Sequence, residues 1–248
     1  MDTLLLGLIW FAVFLLSTTL HEAAHAFVAL KFGDPTAYQA GQVTLDPIPH
    51  IRREPLGMVL VPVIFFVWSG FSWMLGWASA PYDPLWARRY PQKAALMALA
   101  GPLSNLLLVL IAALCIHIGI YFDAFYRPDK MASIFTDIVG AHNEGLPDAM
   151  ATLFSIMFSL NMVLFIFNLL PFPPLDGSAL FPLYLKEETA LKIMEALHQP
   201  GVSLVGLLLA WFFFDKVFPP IHLVVINLLY PGYQYQISEN LSTFAQLM

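Results

Sequence analysis

The stretch LLLGLIWFAVFLLSTTLHEAAHAFVAL, residues 4–30, decides how this chain must fold. It is longer than the roughly 20 apolar residues that an α-helix needs to cross a bilayer. Its only titratable side chains are His21, Glu22 and His25. Such groups are costly at membrane depth unless something pairs with them, and they usually mark a functional site. The stretch therefore predicts a membrane-spanning helix that carries reactive side chains.

His21-Glu22-Ala23-Ala24-His25 has the pattern H-E-x-x-H. Residues i and i+4 lie on one face of a helix, so both imidazoles can hold one zinc ion. The glutamate between them can act as general base on the water that zinc activates. The alternative is two core histidines and an ion-paired glutamate, and the lipid-soluble flanks favour the functional interpretation.

The composition indicates a membrane protein. Of 248 residues, 59% are hydrophobic and 11% are charged, whereas a soluble domain carries about 25% charged residues. The chain has no basic run of the kind that binds phosphates, so nucleic acid is not an expected partner, and the modest net charge of −6 does not bear on this. Cys115 is the single cysteine, so the chain can form neither an internal disulfide nor a cysteine zinc site.

Five apolar blocks predict an all-α polytopic membrane protein with about four to six transmembrane helices. The blocks cover about residues 3–30, 56–80, 94–122, 149–172 and 202–230. The second block is smooth only over a short part and then contains glycine, proline and tryptophan, which favours a re-entrant segment near 56–80. The last block contains Pro219 and Pro220, so it predicts either two short helices or one broken helix.

A catalytic zinc site has three protein ligands and one water. Asp176, in the stretch NLLPFPPLDG at residues 168–177, is the candidate third ligand. The alternative is a simple turn residue, since Asp-Gly is a common turn pair. Asp176 can meet His21 and His25 only if the block at 56–80 enters and leaves by the same side of the membrane.

The distribution of basic residues favours that re-entrant arrangement. It places eight of the eleven basic residues on one side, and the positive-inside rule makes that side cytoplasmic. A fully spanning second block would split ten of the eleven basic residues five and five, with Lys216 unassigned inside the last block. The metal would then lie roughly 10–15 Å along the helix from the cytoplasmic end at Lys31. The eight residues are Lys31, Arg52, Arg53, Arg88, Arg89, Lys93, Lys186 and Lys192.

Two asparagines in the apolar blocks are candidates for binding the substrate backbone or a developing oxyanion. Asn168 lies at the end of the fourth block, and Asn105 lies early in the third block. The alternative for both is a polar contact between helices. Gly101, near several alanines, is expected to serve close helix packing.

Three motifs in order resemble the site-2 proteases, which are zinc intramembrane metalloproteases of the M50 type. They are H-E-x-x-H in a membrane helix, G-P-x-x-N at 101–105 and N-x-x-P-x-P-x-L-D-G at 168–177. FGDPTA at 32–37 and GQVTLDP at 41–47 are similar to the short prokaryotic branch, without a PDZ or CBS domain. The resemblance implies one zinc ion held by His21, His25 and Asp176, with Glu22 as the catalytic base.

The same resemblance implies a single membrane-embedded peptidase domain over residues 1–248, with a catalytic core at about 3–180 and C-terminal helices at about 202–230. It implies a multi-pass protein of the inner membrane, with its active site toward the cytoplasm. The implied substrate is a transmembrane or membrane-anchored protein cut in regulated proteolysis. An edge strand near residues 76–83 would pair with that substrate.

We therefore expect a zinc-dependent intramembrane endopeptidase in a lipid bilayer. One alternative is a catalytically silent relative that only binds a membrane client. A zinc carrier is a further alternative, but it would need a ladder of acidic or histidine ligands through the later blocks, and the sequence has none.

Overall fold

The computed structural model describes residues 2–131, 133–197, 199 and 201–235, so the last part of the expected 1–248 domain lies outside the described residues. Most of the described chain is helical. The helices are α1 (Thr3–Lys31), α2 (Thr36–Gln39), α3 (Pro47–Arg53), α4 (Val61–Trp68), α5 (Pro84–Arg89), α6 (Pro91–Tyr121), α7 (Leu146–Asn168), α8 (Glu187–Leu197) and α9 (Val202–Leu229). A π-helical turn, Leu56–Leu60, precedes α4, and 3-10 turns cover Asp176–Ala179 and Phe181–Leu183.

Four of the described helices, α1, α6, α7 and α9, are long and apolar enough to cross a membrane. This confirms the prediction of an all-α polytopic membrane protein. Strand structure among the described residues is confined to two short strands, β1 (Phe125–Tyr126) and β2 (Gly140–Ala141), which pair antiparallel between α6 and α7.

Helices α1, α6 and α7 pack against one another and form the centre of the bundle. Large apolar side chains fill the space between them, and Trp10, Phe14, Ile116, Ile156 and Phe158 are each at most 1% exposed. Asn161 of α7 contacts Ser17 of α1, and Asp176 just beyond α7 contacts His21 and His25, so the C-terminal parts of α1 and α7 lie in the same region. That juxtaposition positions the candidate site.

The segment from Leu56 to Asp83 enters and returns, as predicted for a re-entrant segment. The five-residue π turn and the eight-residue α4 reach only about 20 Å, which is less than the roughly 30 Å of a bilayer core. The chain then comes back, because Ser79 Oγ donates to Glu54 Oε1 at 2.6 Å and Asp83 N donates to Asp34 Oδ2 at 2.8 Å.

Two glycines let the outgoing limb of this segment, Leu56–Trp68, approach the irregular returning limb, residues 73–83. A Cβ on Gly57 would lie 2.3 Å from the Trp77 carbonyl oxygen, and a Cβ on Gly76 would lie 2.3 Å from the Gly57 carbonyl oxygen. Such distances exclude any side chain without backbone movement. The Trp77 N–H also donates to the Gly57 carbonyl at 3.1 Å, which fastens the two limbs together.

Helix α9 is continuous, in contrast to the predicted pair of short helices or broken helix. Pro219 and Pro220 lie inside it and remove two backbone N–H donors. Membrane helices tolerate such prolines because neighbouring groups can satisfy the freed carbonyls. Packing also holds the helix: Phe214 stacks on Phe218 with ring centroids 4.9 Å apart and meets Phe167 of α7 edge to face.

Candidate metal centre

Three side chains from two parts of the chain converge at the site. His21 and His25 lie on one face of α1, and their ring centroids are 4.6 Å apart. Asp176 approaches from the 3-10 turn after α7. Its Oδ2 atom lies 3.0 Å from His21 Nε2 and 3.3 Å from His25 Nε2. The structure thus brings together the two histidines and the distant aspartate that the sequence indicated.

The turn that presents Asp176 is pressed against the end of α7. A Cβ on Gly177 would lie 2.3 Å from the Leu169 carbonyl oxygen and 2.4 Å from that of Leu170. Only glycine fits there without moving the backbone. The Asp-Gly pair therefore brings the carboxylate to the histidines, in addition to forming a turn.

The protonation pattern of the imidazoles suits a metal ligand. The Nδ1–H of His21 donates to Asn105 Oδ1 at 2.6 Å, and the Nδ1–H of His25 donates to the Met97 carbonyl at 2.8 Å. When both rings are neutral with the hydrogen on Nδ1, the form that a bound metal requires, both Nε2 lone pairs face Asp176. Metal-binding histidines typically donate their other ring nitrogen in this way.

The distances also suit zinc. Tetrahedral zinc with bonds of about 2.0–2.1 Å separates its nitrogen and oxygen ligands by about 3.3 Å. The distances of 3.0 and 3.3 Å from Asp176 to the two Nε2 atoms are close to that value. The donor set of two imidazoles and one carboxylate, which leaves a fourth position open, is that of a catalytic zinc site.

Gly101 of α6 provides the space beside these ligands. A Cβ at this position would lie 2.3 Å from His25 Nε2 and 2.5 Å from His21 Nε2. A side chain there would occupy the place that a metal needs. From the sequence, Gly101 is expected to serve helix packing alone, although its place in G-P-x-x-N near Asn105 is a signal that it belongs to the site.

Glu22 shares the buried site. It is 7% exposed, and one of its carboxylate oxygens lies within 4.8 Å of a ligand nitrogen on each of the two histidines. Burial alone would raise the pKa of the Asp176 carboxyl, but His25 and His21 beside it hold that pKa below its usual range. Asp176 is thus kept as the anion that a metal requires.

A cavity of about 370 Å³ opens onto His21, Glu22, His25 and Asp176. Residues 78–82 of the returning limb line one part of it. Among the described residues, 73–83 form no strand, so the predicted edge strand is not present as such; a strand needs a partner, and no second strand lies alongside. Other lining residues come from α8 and the start of α9: Met194, Leu197 and Ser203.

The two asparagines predicted to bind substrate occupy different places. Asn168 lines the cavity, and its Nδ2 donates to the Leu164 carbonyl at 2.9 Å, which leaves its second amide hydrogen available. Asn105 is 0% exposed and lies behind His21, where its amide meets His21, Asn161 and Ser17. Its position therefore does not support contact with a substrate.

Asn161 and Ser17 were not identified from the sequence. Both are 0% exposed and take part in the hydrogen bonds behind His21. Both lie in mostly apolar helices that hold other small polar residues, and the only available signal was that buried polar groups need partners. Their partners lie 144 and 56 residues away along the chain, which no local pattern reveals.

Comparison with known proteins identifies the family of this protein. The model for "Peptidase family M50" matches residues 9–213. A Bacillus subtilis protein is 36% identical over 188 residues, which are 76% of this chain and 68% of the relative. A Mycobacterium tuberculosis protein is 28% identical over 207 residues, 82% of this chain and 69% of the relative. Their names read "Putative zinc metalloprotease YwhC" and "Putative zinc metalloprotease Rip2".

No solved structure matches this chain. The family match extends from α1 into α9 and includes the H-E-x-x-H helix, Gly101 and the Asp176 turn. The chain therefore belongs to peptidase family M50 and is a membrane zinc metalloprotease.

Proposed function

We propose that this zinc metalloprotease is an intramembrane endopeptidase that cuts transmembrane or membrane-anchored protein segments. The observation that carries the proposal is the position of the site. His21, Glu22 and His25 lie inside the spanning helix α1, about 9–15 Å along the helix from Lys31 at its end. A peptide bond must enter the depth of the membrane to reach them.

We assign His21, His25 and Asp176 as the zinc ligands and Glu22 as the catalytic base. Bound zinc supplies a Lewis acid that lowers the pKa of a coordinated water to about 7. Glu22 would accept the proton of the attacking water and deliver it to the leaving amine. Burial of the site at 7–8% exposure of His21, Glu22 and His25 strengthens these electrostatic interactions.

Asn168 would stabilise the substrate carbonyl. It lines the same cavity as Glu22 and Asp176 and has an amide hydrogen beyond the one given to Leu164. A donor that faces a developing oxyanion contributes several kcal/mol to catalysis in other hydrolases. Asn105 would act through His21, since it is buried behind that ring.

Residues 78–82 would bind the substrate backbone. They line the cavity and belong to neither a helix nor a strand. Two hydrogen bonds hold this limb in place, one from Ser79 Oγ to Glu54 and one from the Asp83 backbone N–H to Asp34. A fixed irregular segment of this kind can pair with an unwound substrate strand, which supplies affinity and exposes the peptide bond.

We place the protein in the inner (cell) membrane with the site toward the cytoplasm and the described helices acting as one peptidase unit. The support is the basic bias of the side at which α1 ends, with eight of the eleven basic residues. A membrane-embedded site on that side would release cytoplasmic fragments of its substrates, which suits regulated proteolysis.

The test compares wild type and Glu22→Gln in proteoliposomes with two substrates, a transmembrane model protein and a soluble peptide of the same cleavage sequence. We expect wild type to cut the transmembrane substrate, a chelator to stop cleavage, and Glu22→Gln to bind zinc without cleaving. Equal cleavage by Glu22→Gln would refute the role of the base. Faster cleavage of the soluble peptide would refute the membrane substrate, and a wild type that binds substrate without turnover would indicate a silent relative.

A further inference from the structure

A chain of buried polar side chains runs from His21 away from the cavity through all three central helices. His21 of α1 donates to Asn105 Oδ1 of α6 at 2.6 Å, and Asn105 Nδ2 donates to Asn161 Oδ1 of α7 at 2.9 Å. Asn161 Nδ2 donates to Ser17 Oγ at 2.9 Å and to the Met157 carbonyl at 2.8 Å. Ser17, Asn105 and Asn161 are each 0% exposed.

The donor-to-acceptor direction of these hydrogen bonds is set at the end that lies furthest from His21. The Met157 carbonyl can only accept, so the side of the Asn161 amide that meets it must be the nitrogen. Ser17 agrees, because its hydroxyl donates to the Val13 carbonyl at 2.7 Å and therefore offers a lone pair to Asn161. Asn161 Oδ1 is thereby turned toward Asn105.

The direction passes through Asn105 to the imidazole. Asn105 must present Nδ2 to the Asn161 oxygen, so its own Oδ1 faces His21 Nδ1. An acceptor at that place requires a hydrogen on Nδ1, and the lone pair of the neutral ring is then on Nε2, which faces Asp176 at 3.0 Å.

The two histidines differ in how this state is secured. The Met97 backbone carbonyl keeps the hydrogen of His25 on Nδ1, because a carbonyl oxygen can only accept a hydrogen bond. The amide of Asn105 could instead turn about its terminal torsion and present a donor to His21, which would favour the hydrogen on Nε2. Only the bond to Asn161 opposes that turn strongly, since the second acceptor, the Ser17 carbonyl, is at 3.4 Å.

We propose that Asn161 is a positioning residue of the zinc site, which acts through Asn105 to hold His21 as the tautomer with a free Nε2. The inference rests on the proposed role of His21 as a zinc ligand. Asn161 touches neither the cavity nor Asp176. Outer partners of metal-binding histidines typically change metal affinity by about 10- to 100-fold when they are removed.

The test measures the zinc dissociation constant of purified protein by competition with a chelator. Asn161→Leu removes the hydrogen bonds and should weaken zinc binding by about 10- to 100-fold. Ser159→Ala is the matched control: Ser159 is also 0% exposed on α7, but it donates to Ile134 away from the site, so zinc binding should be unchanged.

A second measurement determines directly which ring nitrogen of His21 carries the hydrogen. Nitrogen NMR of the zinc-free protein with labelled histidine should show a hydrogen on Nδ1 of His21 in wild type and a lower occupancy of that hydrogen in Asn161→Leu. Should Asn161→Leu not fold, Asn161→Ala removes the same bonds without added bulk and must give the same result.

Wild-type zinc affinity in Asn161→Leu or Asn161→Ala, with loss in His21→Ala, would overturn the role of Asn161 and leave the ligand set intact. Equal weakening in Ser159→Ala would overturn it too, because it would indicate general damage to the helix. Unchanged zinc affinity in His21→Ala would instead refute the ligand set itself.

Discussion

Replacing Gly101 by alanine tests the space that the structure reserves for zinc. The added Cβ would lie 2.3 Å from His25 Nε2 and 2.5 Å from His21 Nε2. Ordinary contact needs about 3.4 Å or more, so the rings or the helix must move apart by about 1 Å. Metal sites tolerate deviations of only about 0.2 Å. The variant should therefore lose at least about 100-fold in zinc affinity, or about 2.7 kcal/mol.

The fold should survive this change. Overpacking costs about 1–3 kcal/mol, and alanine is favoured over glycine inside a helix by about 1 kcal/mol. The net loss in the free energy of unfolding should then be at most about 2 kcal/mol. Metal analysis and chelator competition on detergent-purified protein give the zinc affinity, and thermal unfolding of the zinc-free form gives the stability.

Gly119→Ala is the matched control on the same helix. Its Cβ would lie 2.0 Å from Phe125 Cδ2, a comparable overlap, but about 27 Å further along α6. It should lose stability and keep zinc. Zinc bound by Gly101→Ala with wild-type stoichiometry and affinity would refute the placement of the metal beside this glycine.

Three further predictions follow from the site and the returning limb. Asp176→Ala should reduce zinc affinity by at least about 100-fold. The control Ser178→Ala, in which a hydroxyl that donates to the Leu175 carbonyl in the same turn is removed, should retain zinc. Equal zinc content in the two variants would contradict the assignment of Asp176 as the third ligand. Zinc affinity of the wild type should fall as the pH is lowered, because protons compete with the metal for the imidazoles and the carboxylate, and a flat affinity profile would argue against histidine ligands. Asp34→Ala should raise KM several-fold with little change in kcat or zinc content, because Asp34 accepts a hydrogen bond from Asp83 at the end of the returning limb. The control Asp46→Ala removes only an exposed helix cap and should leave KM unchanged. Equal KM values for the two variants in a cleavage assay would show that the limb does not bind substrate.

Much of the architecture was predictable because membrane constraints are strict. A re-entrant segment was required for Asp176 to lie on the same side of the membrane as the H-E-x-x-H end of the first apolar block. The contacts of Ser79 and Asp83 confirm that the segment returns. The continuity of α9 was not predictable, because prolines break isolated helices and only the packing of neighbouring helices decides whether a membrane helix continues.

Interior contacts between distant residues were the other limit. The sequence indicated that Asn105 was unusual, but a polar residue in an apolar helix can face a substrate or another helix equally well. Its contact with His21 depends on how α1 and α6 pack. Asn161 was missed for the same reason, and Gly101 was assigned to packing because a small residue carries no chemistry of its own.

X-ray absorption at the zinc edge tests the central claim most directly. Wild type should bind one zinc ion with two imidazole nitrogens at about 2.0–2.1 Å and at least one carboxylate or water oxygen at about 2.0–2.2 Å. His25→Ala and Asp176→Ala should each lose the corresponding signal or the metal. A zinc ion without histidine scattering, or a spectrum unchanged in both variants, would contradict the convergence of His21, His25 and Asp176 on one metal.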